Sequence, residues 1–277
     1  MVFDGGGTQV GGSWLRGKYQ KSCEISLPGR FCLNTTVLIF RATCGTSISS
    51  TSVISYQSAN MKKILWLLPF LAFGCKKKDV TPAVPSSTQL NVSYGTDPLQ
   101  KMDIYLPEGR SVATTKVIIM VHGGGWSEGD KIDFTPYVDS LKKRLPGYAI
   151  FNINYRLAVS GTNLFPTQEL DVKAAFEFIY NKRADYKISD KFVALGASAG
   201  GHLALQQSYK NNSVVKVKAV VDFFGPTELY SMYTYPINPL IPLQLIAVIG
   251  GNPATKAQAY HDGSPYNYVT AQCPPTI

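Results

Sequence analysis

From about Thr88 to Ile277, apolar and polar positions fall into repeating blocks. Apolar runs of strand length recur near 89–94, 102–106, 116–121, 148–153, 192–196 and 217–222. Segments with the apolar spacing of helices stand between or after them, near 135–145, 168–181, 199–209 and 254–260. Alternation of this kind predicts an α/β domain, a mostly parallel central sheet with helices on both faces. The first two strands are too close for a helical crossover, so they are expected to pair antiparallel. Phe223 to Gly250 breaks the rhythm. It is apolar but punctuated by Pro226, Pro236, Pro239 and Pro242, which suits a lid or pocket wall better than a sheet element. The block spanning 89–277 can bury a large core.

The first 88 residues follow no such pattern. Residues 1–60 are rich in Gly, Ser and Thr and show no sustained helical or strand period. They are expected to be disordered, and to be upstream translation from a misplaced start. A small disulfide module built on Cys23, Cys32 and Cys44 is the alternative, and an odd count of three argues against it. Residues 61–75, Met61-Lys62-Lys63 followed by an apolar run ending Gly74-Cys75, have the basic start, apolar centre and small residue before cysteine of a lipoprotein signal peptide. The run is too short to span a membrane as an ordinary helix. Residues 76–88, with three lysines and then a Pro/Ser-rich stretch, read as a tether. These readings predict lipidation at Cys75 and an exported protein anchored to a membrane of the bacterial cell envelope.

Charge changes the picture once the chain is divided. The formal net charge of +9 looks basic, but residues 1–60 hold five basic and two acidic residues and 61–78 hold five lysines. The rest carries 17 Lys and Arg against 16 Asp and Glu, a net of +1. No basic field remains to argue for a nucleic-acid partner. Cys273 is the one cysteine after Cys75 and reads as a packing residue.

Two motifs carry chemistry. Gly196-Ala197-Ser198-Ala199-Gly200 follows the apolar run Phe192-Val193-Ala194-Leu195 and opens a helical stretch. This is the G-x-S-x-G nucleophile elbow in its required strand–turn–helix setting, with Ser198 as nucleophile. Three fixed positions recur by chance about 0.1 times in a chain of this length. The second motif, His122-Gly123-Gly124-Gly125-Trp126, directly follows Val117–Val121. A glycine-rich loop there offers backbone N–H groups to the oxygen that becomes negative in acyl transfer.

Together these motifs resemble the α/β-hydrolase superfamily, in its bacterial esterase/lipase branch that carries H-G-G-G and G-x-S-x-G. The resemblance extends from about Asp97 to Ile277 and takes in Asp103-Ile104-Tyr105-Leu106-Pro107, Asn154-Tyr155-Arg156-Leu157, Phe165-Pro166 and Ser264-Pro265. It implies a serine carboxylesterase acting on a small ester, with acyl groups of carbohydrate as one substrate class. Ser198 is the nucleophile. The N–H of Ala199, with those of Gly124 and Gly125, forms the oxyanion hole, and His122 and Gly123 shape its loop. No metal or organic cofactor is implied. A serine peptidase of the same fold and a non-catalytic surface lipoprotein are the alternatives. In the family the strand beginning near Pro274–Ile277 leads to the catalytic Asp and then the catalytic His. The chain is therefore expected to be C-terminally truncated, nearly inert as it stands, and to leave the strand at 217–222 as an exposed edge.

The remaining candidates read as structural. His202 and His261 are expected to pack or hydrogen-bond rather than act as base. Asp171 is expected to pair with Arg156, and Asp222 to fix a loop. Trp126 and Tyr155 are read as either pocket lining or packing.

Overall fold

The computed structural model describes residues 37–39, 53–55, 83–212 and 214–277. The chain divides into two compact units, Met1–Asp79 and Val80–Ile277. In the first, the described residues are two short antiparallel strands, β1 (Val37–Ile39) and β2 (Val53–Ser55). This pair falls in the 1–60 stretch where no strand period is evident. The disorder expected for 1–60 otherwise lies outside the described residues, as does the signal-peptide reading of 61–75.

The second unit is built on a six-stranded sheet. Its strands are β3 (Ser87–Ser93), β4 (Lys101–Leu106), β5 (Lys116–Val121), β6 (Tyr148–Ile153), β7 (Phe192–Ala197) and β8 (Val217–Phe223), in the spatial order β3-β4-β6-β5-β7-β8. β3 pairs antiparallel with β4, and β4 antiparallel with β6, while β6, β5, β7 and β8 run parallel. β3 begins at Ser87, opposite Leu106, inside the stretch read as tether. Val84 already accepts from Gly109 N.

Successive side chains of a strand point to opposite faces, and β5 shows the consequence. Val117, Ile119 and Val121 enter one buried cluster with Val172, Phe176 and Ile179 of α2 (Thr167–Asn181) and Leu203 and Ala204 of α4 (Ala199–Tyr209). Ile118 and Met120 enter another with Val138 of α1 (Thr135–Arg144). Helices thus cover both faces, as the sequence predicts. A short α3 (Arg183–Tyr186) follows α2. The proline-punctuated stretch forms two short helices, α5 (Leu229–Thr234) and α6 (Ile241–Ile249), and α7 (Ala257–Asp262) with the 3-10 turn Pro265–Tyr268 completes the order.

The expectation of a bare edge at β8 needs correction. Val220 N donates to Pro275 O at 2.9 Å, Asp222 N to Ile277 O at 2.8 Å, and Ile277 N to Val220 O at 3.1 Å. Pro275–Ile277 therefore run parallel beside β8 and occupy its edge over Val220–Asp222. Backbone groups at an edge demand partners, and here this segment supplies them. Phe223, Phe224 and Ile277 remain exposed there.

Candidate active site

The elbow is set by backbone geometry. Ser198 sits between β7 and α4 at φ 53°, ψ −123°, a region that costs a non-glycine residue about 1–3 kcal/mol. Its N–H is tied to Phe223 O at 2.8 Å, and its carbonyl accepts from His202 N at 3.0 Å. The turn is tight enough that a Cβ on Gly200 would overlap the carbonyl oxygens of Val121 and His122. A side chain at that position is excluded, which is the physical content of the motif's last glycine. Ser198 itself is half-buried.

The glycine loop lies against the elbow. A Cβ on Gly123 would stand 3.4 Å from Ser198 Cβ and 3.0 Å from Ala197 O. The loop's carbonyls are all committed. Tyr155 Oη donates between His122 O at 3.0 Å and Gly123 O at 3.2 Å. His122 Nδ1 donates to Gly123 O at 2.7 Å. Gly124 O accepts from Ser127 N and Glu128 N, and Trp126 O accepts from Ala158 N. Gln244 Nε2 of α6 reaches Gly125 O at 3.4 Å. Five consecutive carbonyls are thereby held, whereas the N–H groups of Gly123, Gly124, Gly125 and Ala199 have no acceptor among the described residues. Ala199 opens α4, where helix geometry leaves the first N–H groups free.

The aromatic residues of the loop brace it. Trp126 and Tyr155 are both buried. Tyr155 stacks on the His122 ring at 4.3 Å between centroids. Trp126 Nε1 donates to His202 Nδ1 at 3.1 Å. Sequence alone left pocket and packing open for these two, because an indole or phenol suits either until its polar atom finds a partner.

Among the described residues, none of the three histidine side chains hydrogen-bonds to Ser198 Oγ. His122 is buried, which lowers its pKa, and its Nδ1 is spent on the loop. His202 is fully buried and donates from Nε2 to Gly263 O at 2.6 Å while Nδ1 accepts from Trp126. Burial pushes its pKa down to about 4. His261 is exposed on α7 and pairs with Asp262 at 3.1 Å. The carboxylates are equally committed. Asp171, buried on α2, accepts from Arg156 N, Nε and Nη2 at 2.6–3.2 Å and from Gln100 Nε2 at 2.7 Å. Asp222 accepts from Gly225 N at 2.9 Å, closing the turn after β8, and burial raises its pKa. Cys273 is half-buried and hydrogen-bonds to Tyr268 O and Thr270 N. Among the described residues no cluster of three or more His, Cys, Asp or Glu could hold a metal. Sequence reasoning missed Gln244 and the lower bracing of the loop. Lys131, buried against Asp103 at 2.8 Å, anchors its exit, and its N–H donates to Asn154 Oδ1 at 2.5 Å.

The profile of the BD-FAE family, of α/β-hydrolase type, matches residues 102–277. The chain belongs to that family. It is 27% identical over 198 residues to the probable carboxylic ester hydrolase LipM of Mycobacterium tuberculosis, covering 67% of this chain and 45% of that protein. Among solved structures it resembles a bifunctional GH43-CE protein of Bacteroides eggerthii, with TM-score 0.60 and 28% identity over 69% of this chain and 30% of that one. It also resembles a truncated carbohydrate esterase from gut microbiota, with TM-score 0.58 and 25% identity over 70% of this chain and 77% of that one. The fold is that of the α/β-hydrolases. The chain spans about half the length of the curated relatives it matches.

Proposed function

We propose that the protein is a serine carboxylesterase whose base and orienting carboxylate come from outside residues 1–277. The observation that carries this reading is the pairing of a strained Ser198 with a loop whose carbonyls are all engaged and whose glycine N–H groups have no acceptor among the described residues. In the reaction, Ser198 Oγ adds to the ester carbonyl as its proton passes to a histidine. The carbonyl oxygen takes the negative charge, and the N–H groups of Gly124, Gly125 and Ala199 hold it. The tetrahedral species expels the alcohol, which leaves with the histidine's proton. Water then repeats the sequence on the acyl-serine and frees the acid. Among the described residues no histidine ring nitrogen is bonded to Ser198 Oγ, and His122 Nε2 is buried without a partner, which is why the base is assigned elsewhere.

The substrate class is an acyl ester on carbohydrate. Support comes from similarity to a carbohydrate esterase and a GH43-CE protein. The relatives matched favour an esterase over a peptidase or a non-catalytic lipoprotein. The protein is exported and held at a membrane of the cell envelope by lipid on Cys75, a reading that rests on the residue pattern of 61–75. Among the described residues no helix is long and apolar enough to cross a membrane.

The test is hydrolysis of p-nitrophenyl acetate by the gene product extended through its next histidine-bearing segment. Ser198→Ala is expected to lower kcat/KM by about 10³-fold or more. Robust turnover by residues 61–277 alone, lost in that variant, would overturn the assignment of an external base.

A further inference from the structure

We propose that the cleft between the start of α5, α7 and the Pro265–Tyr268 turn binds a neutral saccharide chain, as a subsite for the carbohydrate that bears the ester. This rests on the carbohydrate-ester reading above and adds the residues that would recognise the sugar. The cleft has a volume of about 620 Å³ and is lined in part by Tyr230, Tyr266, His261 and Asn267. Tyr230 and Tyr266 are 55% and 66% exposed, so two rings stand at the surface where nothing in the fold demands them. Their phenol oxygens have no partner among the described residues. Asn267 spends Nδ2 on His261 O at 2.9 Å and keeps its carbonyl oxygen free, and His261 spends only Nδ1.

Charge selects the ligand. Glu228 is the one carboxylate among the cleft's lining residues, and no Lys or Arg lines it. Its oxygens are already taken by Tyr230 N at 2.9 Å and Ser231 N at 2.6 Å, capping α5. Apart from the Glu228 anion, held in its cap, the wall offers aromatic faces and polar groups, with no Lys or Arg. A pyranose chain presents C–H faces to rings and hydroxyls to such groups, which matches this set. Location agrees. Glu228 follows Phe223 by five residues, and Phe223 O is bonded to Ser198 N. Five residues reach at most about 17 Å, which bounds the distance from Phe223, bonded to the nucleophile's backbone, to Glu228 on the cleft wall.

The experiment uses the full chain carrying Ser198→Ala, titrated calorimetrically with xylotetraose, cellotetraose, mannotetraose and tetragalacturonate. At least one neutral tetramer is expected to bind, and the charged one is expected not to. Tyr230→Ala with Tyr266→Ala should weaken binding about tenfold or more at unchanged melting temperature. Should that double variant unfold, Asn267→Ala replaces it, with weakened binding again expected. No binding to any neutral tetramer, binding untouched by a folded variant, or binding that vanishes when the extended protein is used would overturn the proposal. The last result would mean that polypeptide fills the cleft. Hydrolysis of p-nitrophenyl acetate, which carries no sugar, reports on the esterase reading separately.

Discussion

His202 carries the most committed side chain at the site. One imidazole ties the glycine loop, through Trp126, to the carbonyl of Gly263, and does so only when neutral, since Nδ1 must accept. Its folded pKa near 4 lies below the ordinary value of 6.5. The unfolded chain therefore takes up a proton below pH 6.5 that the folded chain refuses until about pH 4. Stability is full above 6.5 and falls across that window by about 3 kcal/mol. Urea unfolding at a series of pH values should show this slope, and His202→Asn should flatten it while lowering stability at pH 7. Tyr155 makes a second prediction. Tyr155→Phe removes the hydroxyl that holds the His122 and Gly123 carbonyls but keeps the stacked ring. In the extended protein kcat should fall about tenfold with KM little changed, because a loosened oxyanion loop costs transition-state binding.

At the level of elements, α2 is pinned by a charge to the segments that precede β4 and follow β6. Asp171 is 1% exposed and takes its bonds from Arg156 and Gln100, segments distant in sequence. Breaking a buried pair from one side strands the remaining charge. Arg156→Ala should therefore cost about 3 kcal/mol, and adding Asp171→Asn should recover part of it. Chemical denaturation of the single and double variants measures both, and an additive double variant would contradict the pairing. The helix α4 depends on Gly200 in a different way. Gly200→Ala places a methyl group into the Val121 and His122 carbonyls and should cost about 3 kcal/mol or more.

For the whole molecule, association depends on the edge at β8. Pro275–Ile277 occupy the edge, so removing Pro274–Ile277 should free the N–H and C=O groups of Val220–Asp222. Such an edge recruits other chains. Light scattering should show a sharp rise in association for the shortened protein relative to the 277-residue chain. The anchor is tested independently. Palmitate labelling in cells is expected to mark the protein and to be lost in Cys75→Ser, and label surviving that change would remove the anchor.

What the sequence determined by itself is local. Strand runs such as Val117–Val121 and Phe192–Leu195 and the helix periods of 168–181 and 199–209 lie where the structure has them, because burial on a sheet or helix face leaves a period readable along the chain. The elbow was legible for the same reason, since a turn without room for side chains admits few residues. Tertiary structure decided what depends on partners distant in sequence. That Trp126 and Tyr155 brace the loop, that His202 is spent on Gly263, that Gln244 reaches Gly125 and that Pro275–Ile277 run beside β8 are each pairings across dozens of residues or across a sheet edge. A polar atom's role is fixed by whichever donor or acceptor the fold brings within about 3 Å, and no local period records that choice.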